Sequence, residues 1–345
     1  MNNNAFMKAA LVSIILMLSA TMALALDPIP QTSGFSGFIR PGVGYISYET
    51  NMVASFLGFD LSDEKTDSLL DGPDDESSAI FLMPFSLEYT FASTRTQLFF
   101  GTDLTDLIRF DYSQQLGVKQ EIGSLGLLQG SFLFSGIPAE VWKDPYVVNQ
   151  KRDETDRDSY GARLAWDRIL GSQLQLQYTY RDIDIDSEQS GESLGLTAAE
   201  RELLERSGDR HVAQALYRFN FAQKHWLAPA VIYAIDDLDG DAMSSDTVDL
   251  QLTYIYRGDP ITFTANAFIG WADYDKRNPI YDKTQEDDRY GFNTSVFYKN
   301  PWGWSLFGSN PMNFYVEAAY VDVDANIDFY DQQAIFSTIG VFFKW

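Results

Sequence analysis

The chain has 345 residues, with 25 lysines and arginines against 49 aspartates and glutamates, a formal charge of −24 at pH 7. That excess excludes a nucleic-acid partner, because a polyanion is bound through a basic surface. The absence of cysteine excludes disulfide frameworks, thiolate catalysis and cysteine-ligated zinc or iron–sulfur sites, and the slightly negative mean hydropathy excludes a polytopic helical membrane protein.

In chain order, Lys8 is the sole charge before an apolar run over residues 9–23 that ends in Ala23-Leu24-Ala25. A basic start, a short apolar middle and a small-x-small end describe a secretory signal peptide. About 15 apolar residues are too few to span a ~30 Å hydrocarbon core. Residues 1–25 are therefore expected to direct Sec-type export, with 26–345 forming one domain.

The mature sequence then alternates. A first strand is expected over 34–49. In 81–91, Phe81, Met83, Phe85, Leu87, Tyr89 and Phe91 lie opposite Ser86, Glu88 and Thr90. Strands over 96–103, 110–121, 125–134 and 160–167 follow. In 173–181, Leu174, Leu176, Tyr178 and Tyr180 alternate with Gln175, Gln177, Thr179 and Arg181. In 210–221, Ala213, Ala215, Tyr217, Phe219 and Phe221 face away from Arg210, Gln214, Arg218 and Asn220. After 226–235, the segment 247–257 sets Val248, Leu250, Leu252, Tyr254 and Tyr256 against Asp249, Gln251, Thr253 and Arg257. Strands over 261–271, 289–298, 313–322 and 333–345 complete the series, the last ending on its apolar face at Trp345. An amphipathic helix would instead repeat its apolar positions every three or four residues.

A barrel wall in lipid is apolar outside and polar inside, with period two. The fold expected is all-β: a transmembrane antiparallel up-and-down β-barrel of about fourteen strands, an even number that returns both termini to one side. Twelve is the alternative, with 302–307 the least regular stretch. Long gaps, at 50–80, 135–159, 182–209, 236–246 and 273–288, take turns with short ones, as long extracellular loops and short periplasmic turns do. A shorter gap near Asp106 fits the same order. Pro41, Pro84 and Pro229 fall inside expected strands, where each removes a ladder donor.

Most acids sit in the long gaps. The plain reading is a solvated, self-repelling crown. A sharper one is capture of divalent cations: Asp182, Asp184, Asp186 and Glu188 continue the outward face beyond Tyr178 and Tyr180, where Ca²⁺ or Mg²⁺ could bridge them to lipopolysaccharide phosphates. Asp237-Leu238-Asp239-Gly240-Asp241 resembles a calcium loop but lacks the downstream glutamate of an EF-hand. No other cofactor is expected.

The inward parity carries Glu88, Lys119, Arg163, Gln175, Gln177, Arg181, Arg218, Asp249, Arg257 and Glu317. In a water-filled barrel such residues line the pore and set its selectivity. The alternative is a network across the lumen that leaves no path. Thr197-Ala198-Ala199-Glu200 is a capping box and predicts a short helix in the fourth long loop, either a lid or an ornament. There are only two histidines. His225 falls in a periplasmic turn; His211 has outward parity near the extracellular rim, where a hydrolase would need a partnering serine or aspartate that the pattern does not supply. No enzyme is expected, and a rim hydrolase using His211 is the last of the alternatives.

Several segments are familiar: Pro28-Ile29-Pro30 with Ser33-Gly34-Phe35-Ser36-Gly37-Phe38; Tyr89-Thr90-Phe91-Ala92 with Thr94-Arg95-Thr96-Gln97; Phe134-Ser135-Gly136-Ile137-Pro138 with Glu140-Val141-Trp142 and Asp144-Pro145-Tyr146; and Arg181-Asp182-Ile183-Asp184-Ile185-Asp186. They resemble a bacterial outer-membrane family filed as a domain of unknown function, DUF2860, over the whole mature chain. The resemblance implies a single exported domain and brings no activity or site residues. A further likeness to outer-membrane barrels in general is the aromatic end of the last strand, the part read by the barrel assembly machinery. The aromatics and prolines of 137–146 suggest a loop folded back on the barrel mouth.

The function expected is a porin-like passive channel for small hydrophilic solutes or ions in the cell outer membrane. The partners implied are membrane lipid, lipopolysaccharide and the assembly machinery. A structural or surface-interaction barrel with a blocked lumen is the alternative.

Overall fold

The computed structural model describes residues 26, 28–56, 58–103, 113–306 and 310–345. The signal peptide expected at 1–25, the gap near Asp106, the start of the strand expected at 110–121 and Phe307 lie outside the described residues. Fourteen wall strands follow one another antiparallel around a ring. They are β1 (Gly34–Ile39 and Gly42–Glu49), β2 (Asp75–Leu82 and Phe85–Phe91), β3 (Thr96–Asp103), β4 (Ser113–Glu121), β5 (Leu127–Ser135), β6 (Glu154–Asp167) and β7 (Leu174–Ile185). The ring continues with β8 (Gly208–Tyr217 and Phe219–Ala222), β9 (His225–Leu238), β10 (Ser245–Arg257), β11 (Ile261–Asn278), β12 (Lys283–Tyr298), β13 (Asn310–Ala325) and β14 (Gln332–Lys344). β14 pairs back onto β1 from Gly42–Gly340 to Glu49–Gln333, which closes the barrel and leaves no free edge.

Alternation is what builds the wall. On β7, Leu176 and Tyr178 are exposed while Gln175, Thr179 and Arg181 are buried. The same split sets Leu250 and Leu252 outside Asp249 and Thr253, and Ile269 and Trp271 outside Thr264 and Asn266. Large exposed apolar side chains thus form a continuous outer belt, and many of the buried positions are polar or charged. That is the reverse of a protein in water and the pattern of a wall immersed in lipid.

The three prolines are accommodated in two ways. Pro41 and Pro84 divide β1 and β2 at one level, between the pairs Ile39–Phe85 and Gly42–Leu82, so the missing donors fall side by side. Their carbonyls stay in use, accepting from Val341 and Arg40 at 3.1 and 2.9 Å. Pro229 lies within an unbroken β9, and it is the neighbouring β8 that is interrupted, at Arg218.

The strands rise further on the side away from the termini than hydrophobicity suggests. β6 starts at Glu154, β7 runs to Ile185, and β11 and β12 leave only 279–282 where a gap over 273–288 was expected. The cause is physical: above the lipid both faces of a strand meet water or other loops, so apolar alternation stops while the backbone ladder continues. The loop side carries the connections 50–74, 136–153, 186–207, 239–244, 279–282 and 326–331.

Candidate functional site: an ion-paired lumen under a loop cap

The inward face of each strand was fixed by parity, and the tertiary structure decides which residues meet. Arg163 donates to Asp103 at 2.6 Å and to Thr179 at 2.9 Å. Arg181 lies 3.9 Å from the same carboxylate and donates to Ser159. Arg218 pairs with Asp167 and donates to Gln175 at 3.0 Å. Glu317 holds Arg40 at 2.6 Å, Glu88 holds Lys119 at 3.4 Å, and Asp249 lies 3.8 Å from Arg289. Gln177 faces inward half-buried, whereas Arg257 sits exposed at the terminus-side mouth, 5.6 Å over the Trp226 ring. The residues expected to line a pore are therefore drawn into several ion pairs rather than one cluster. Removing one partner of a buried pair typically costs about 3–5 kcal/mol, because the other charge is stranded.

Sequence reading missed the partners Asp103, Asp167, Arg40 and Arg289. Asp103 and Asp167 end β3 and β6, and counting two residues beyond Gly101 and Ala165 on the inward parity would have found them. Arg40 hides in the proline break, where parity cannot be counted.

One arc of the inner wall is apolar. Ile46, Tyr48, Ile80, Leu82, Ala319, Ala334 and Phe336, from β1, β2, β13 and β14, pack against Phe56 and Leu61 of the first long loop. That loop folds into two short strands, Val53–Phe56 and Phe59–Asp60. A further short strand, Ala139–Trp142, joins them to β6 through the pair Trp142–Glu154. A small sheet thus runs from β6 through two loops to the inner face of β1 and β2.

Above it the loops converge. Tyr146, Leu204, Ala325, Ile327, Phe329 and Tyr330 form one buried cluster, joined by Met52, Leu69, Leu194, Leu196, Met243, Ile280 and Tyr281. Apart from Ala325 at the end of β13, these come from all six described loop-side connections, so one buried core joins the loops on that side of the ring. The Tyr146 and Tyr330 hydroxyls meet at 2.6 Å, Asn278 donates to Tyr330 at 2.7 Å, and Asn51 donates to the Phe329 carbonyl at 3.2 Å. Asp144 accepts from the backbone of Gly191 and Ser193 at 3.0 and 2.8 Å, tying 136–153 to 186–207. Arg206 pairs with Glu188 at 2.8 Å and donates to the Trp142 carbonyl. Arg152 stacks 4.3 Å from the Trp142 ring and donates to the Asn51 carbonyl. The capping box forms as its spacing dictates: Thr197 and Glu200 close the start of the helix Ala198–Glu202, which delivers Leu204 to the cluster.

Asp287, inward on β12 and beside Ala325, accepts from Gln285 at 2.9 Å and from Tyr274 at 3.2 Å. Burial and neighbouring acids raise Glu49 and Asp331, at the loop-side end of the barrel, above the usual carboxylate range. The buried Tyr330 hydroxyl is raised to about 12.

The expected cation ligands do not assemble. Asp182 and Asp184 lie on the outward parity of β7, and Asp182, Asp209 and Asp237 stand opposite one another across β7, β8 and β9. Asp186 lies just past the strand end, and Glu188 turns inward to Arg206. Asp239 and Asp241 are exposed in the connection 239–244. Among the described residues no three acids or histidines gather closely enough to hold a metal ion. Below this row lie aromatics that donate upward: Tyr180 to Asp209 and Tyr233 to Asp246, each at 2.7 Å. His211 Nδ1 and the Tyr178 hydroxyl pair at 2.7 Å, beside the Tyr180 ring. His225 opens β9 rather than lying in a turn, and pairs with the Tyr254 hydroxyl at 2.7 Å. Both histidines are members of aromatic girdles, one at each end of the apolar belt.

Residues 34–344 match the model of a family described as a protein of unknown function, DUF2860. The chain belongs to this family. No curated protein matches it. Among solved structures, this DUF2860 chain is similar to outer-membrane expressed OmpT of Vibrio cholerae, at 10% identity and a TM-score of 0.41 over 92% of this chain and 100% of that one. It is also similar to the outer membrane channel DcaP of Acinetobacter baumannii, at 10% identity and 0.40 over 91% and 97%. The COG4313 outer membrane channel of Pseudomonas putida F1 gives 10% and 0.40 over 95% and 100%. The fold stands on the strand pairing itself, without these likenesses.

Proposed function

We propose that this DUF2860 protein is an outer-membrane channel for small hydrophilic solutes, shut in the state described here by loops that meet over its mouth. The polar share of the inner face carries the reading: between apolar positions such as Phe99, Leu133, Leu216 and Ala230, the wall from β3 to β12 turns Gln, Thr, Ser, Asn and paired charges inward, which a barrel serving only as an anchor does not require. In this reading the loop side is the cell exterior, and the closing of β14 onto β1 is consistent with a wall assembled in the outer membrane. The outward carboxylates of β7 to β9 would face lipopolysaccharide, with Ca²⁺ or Mg²⁺ as the bridging ion. The tyrosine partners of His211 favour a girdle residue over a catalytic base.

Planar-bilayer recording tests the channel. The wild-type protein should show rare, small openings, and the cap variant Leu204→Ala with Phe329→Ala frequent and larger ones. Silence from both would remove the channel reading. The blocked surface barrel would then stand, favoured by the burial and pairing of Arg40, Arg163, Arg181 and Glu317.

A further inference from the structure

The inner wall holds a set of polar side chains that the ion pairs do not use. On β10, β11 and β12 the pairs Thr253–Asn266 and Asn266–Asn293 make one cross-strand row, and Thr264–Ser295 begins a second beside it. All five are buried, Thr253, Thr264 and Ser295 completely. Asn266 donates to Thr253, but Thr264 Oγ1, Asn293 Oδ1 and Ser295 Oγ have no hydrogen-bond partner among the described residues. Seven strands away on a ring of fourteen, and so on the opposite arc, Gln115 Oε1 of β4 and Ser131 Oγ of β5 are likewise buried without a partner. Buried polar atoms are ordinarily paired, because leaving one unpaired forfeits its hydration. Five on two facing arcs point to a role that the closed barrel does not satisfy.

We propose that these two arcs form the contact belt for the solute, and that the solute is an uncharged, polyhydroxylated small molecule of the sugar class. This deepens the channel reading and rests on it. The hydroxyls of Thr264, Ser295 and Ser131 either donate or accept, whereas Asn293 Oδ1 and Gln115 Oε1 only accept. A carboxylate solute would set its oxygens against those two acceptors. The carboxylate on these rows, Glu317 opposite Ser295, is already held by Arg40, so a cation would be stripped of water without gaining a fresh counter-charge. Alcohol groups both give and take, and so match every position. The rows also adjoin an apolar ring: Phe268 lies so close over Gly291 that a Cβ there would come within 2.5 Å of its edge. A ring of that kind suits the C–H face of a sugar.

The test uses the full-length cap variant in liposomes, with arabinose as the neutral probe and gluconate as the charged one, and KCl conductance measured on the same preparation. Arabinose flux should exceed gluconate flux. Thr264→Val with Ser295→Ala should lower arabinose flux relative to KCl conductance by about tenfold, the loss of one well-made hydrogen bond. The same pair should not lower the melting temperature, since it removes unpaired groups. Equal flux of the two probes, or an arabinose-to-KCl ratio unmoved by the pair, would overturn the inference while leaving the channel standing, the belt then being merely hydrated. Absence of KCl conductance in the cap variant would overturn both.

Discussion

The wall within the lipid and the cap above it are built by opposite rules. In the wall, each residue's surroundings follow from whether its position is odd or even, and most large apolar side chains point outward, the arc of β1, β2, β13 and β14 excepted. In the cap, Tyr146, Leu204, Phe329 and Tyr330 point inward to one another from connections far apart in the chain, as in a protein folded in water. The difference reflects the solvent on each side. Hydrocarbon surrounds the belt and rewards exposed leucine, whereas water surrounds the loops and rewards its burial.

The largest effect that sharpens this contrast lies in the wall. Asp103→Ala strands Arg163 and Arg181 together and should cost about 3–5 kcal/mol in urea unfolding from lipid vesicles, with the cap intact while the barrel stays folded. A loss below about 1 kcal/mol would mean the lumen is wet enough to screen the pair. The second effect belongs to the cap and is set by pH. Asp331, in the connection 326–331, is raised above its unfolded value by burial and neighbouring acids, so its contribution to stability is fully present below the unfolded value and is lost as pH rises through the folded one. Channel openings should therefore be rarer at pH 4.5 than at pH 7.5, and Asp331→Asn should keep them rare at both. An unchanged pH dependence in that variant would assign the effect to Glu49 instead, which shifts in the same direction. The smallest effect is local. Thr197→Ala removes the helix cap and should weaken the Ala198–Glu202 turn by about 1 kcal/mol, read as faster protease cleavage within 186–207 while the barrel stays resistant.

The boundary between the two rules is also where sequence reading lost its grip. Leu176 and Arg181 declared their faces from spacing alone, and Thr197 with Glu200 declared a helix start. Asp273 to Asp288 resembled a loop because acids occupy both faces, yet most of it is strand. Glu188 followed the outward series of Asp182 and Asp184 by count, but the chain had already left the strand and turned to Arg206. Parity holds only while the ladder does.

By itself the sequence determined a closed wall of about fourteen strands, with twelve still open, its inside and its outside, because period two is imposed by the backbone and a single lipid-facing surface selects one register. Only the tertiary structure decided that Asp103 serves two arginines, that the first loop folds onto the inner wall, and that the loops share one buried core. Those contacts join residues dozens to hundreds of positions apart, and no local periodicity encodes a distance of that kind.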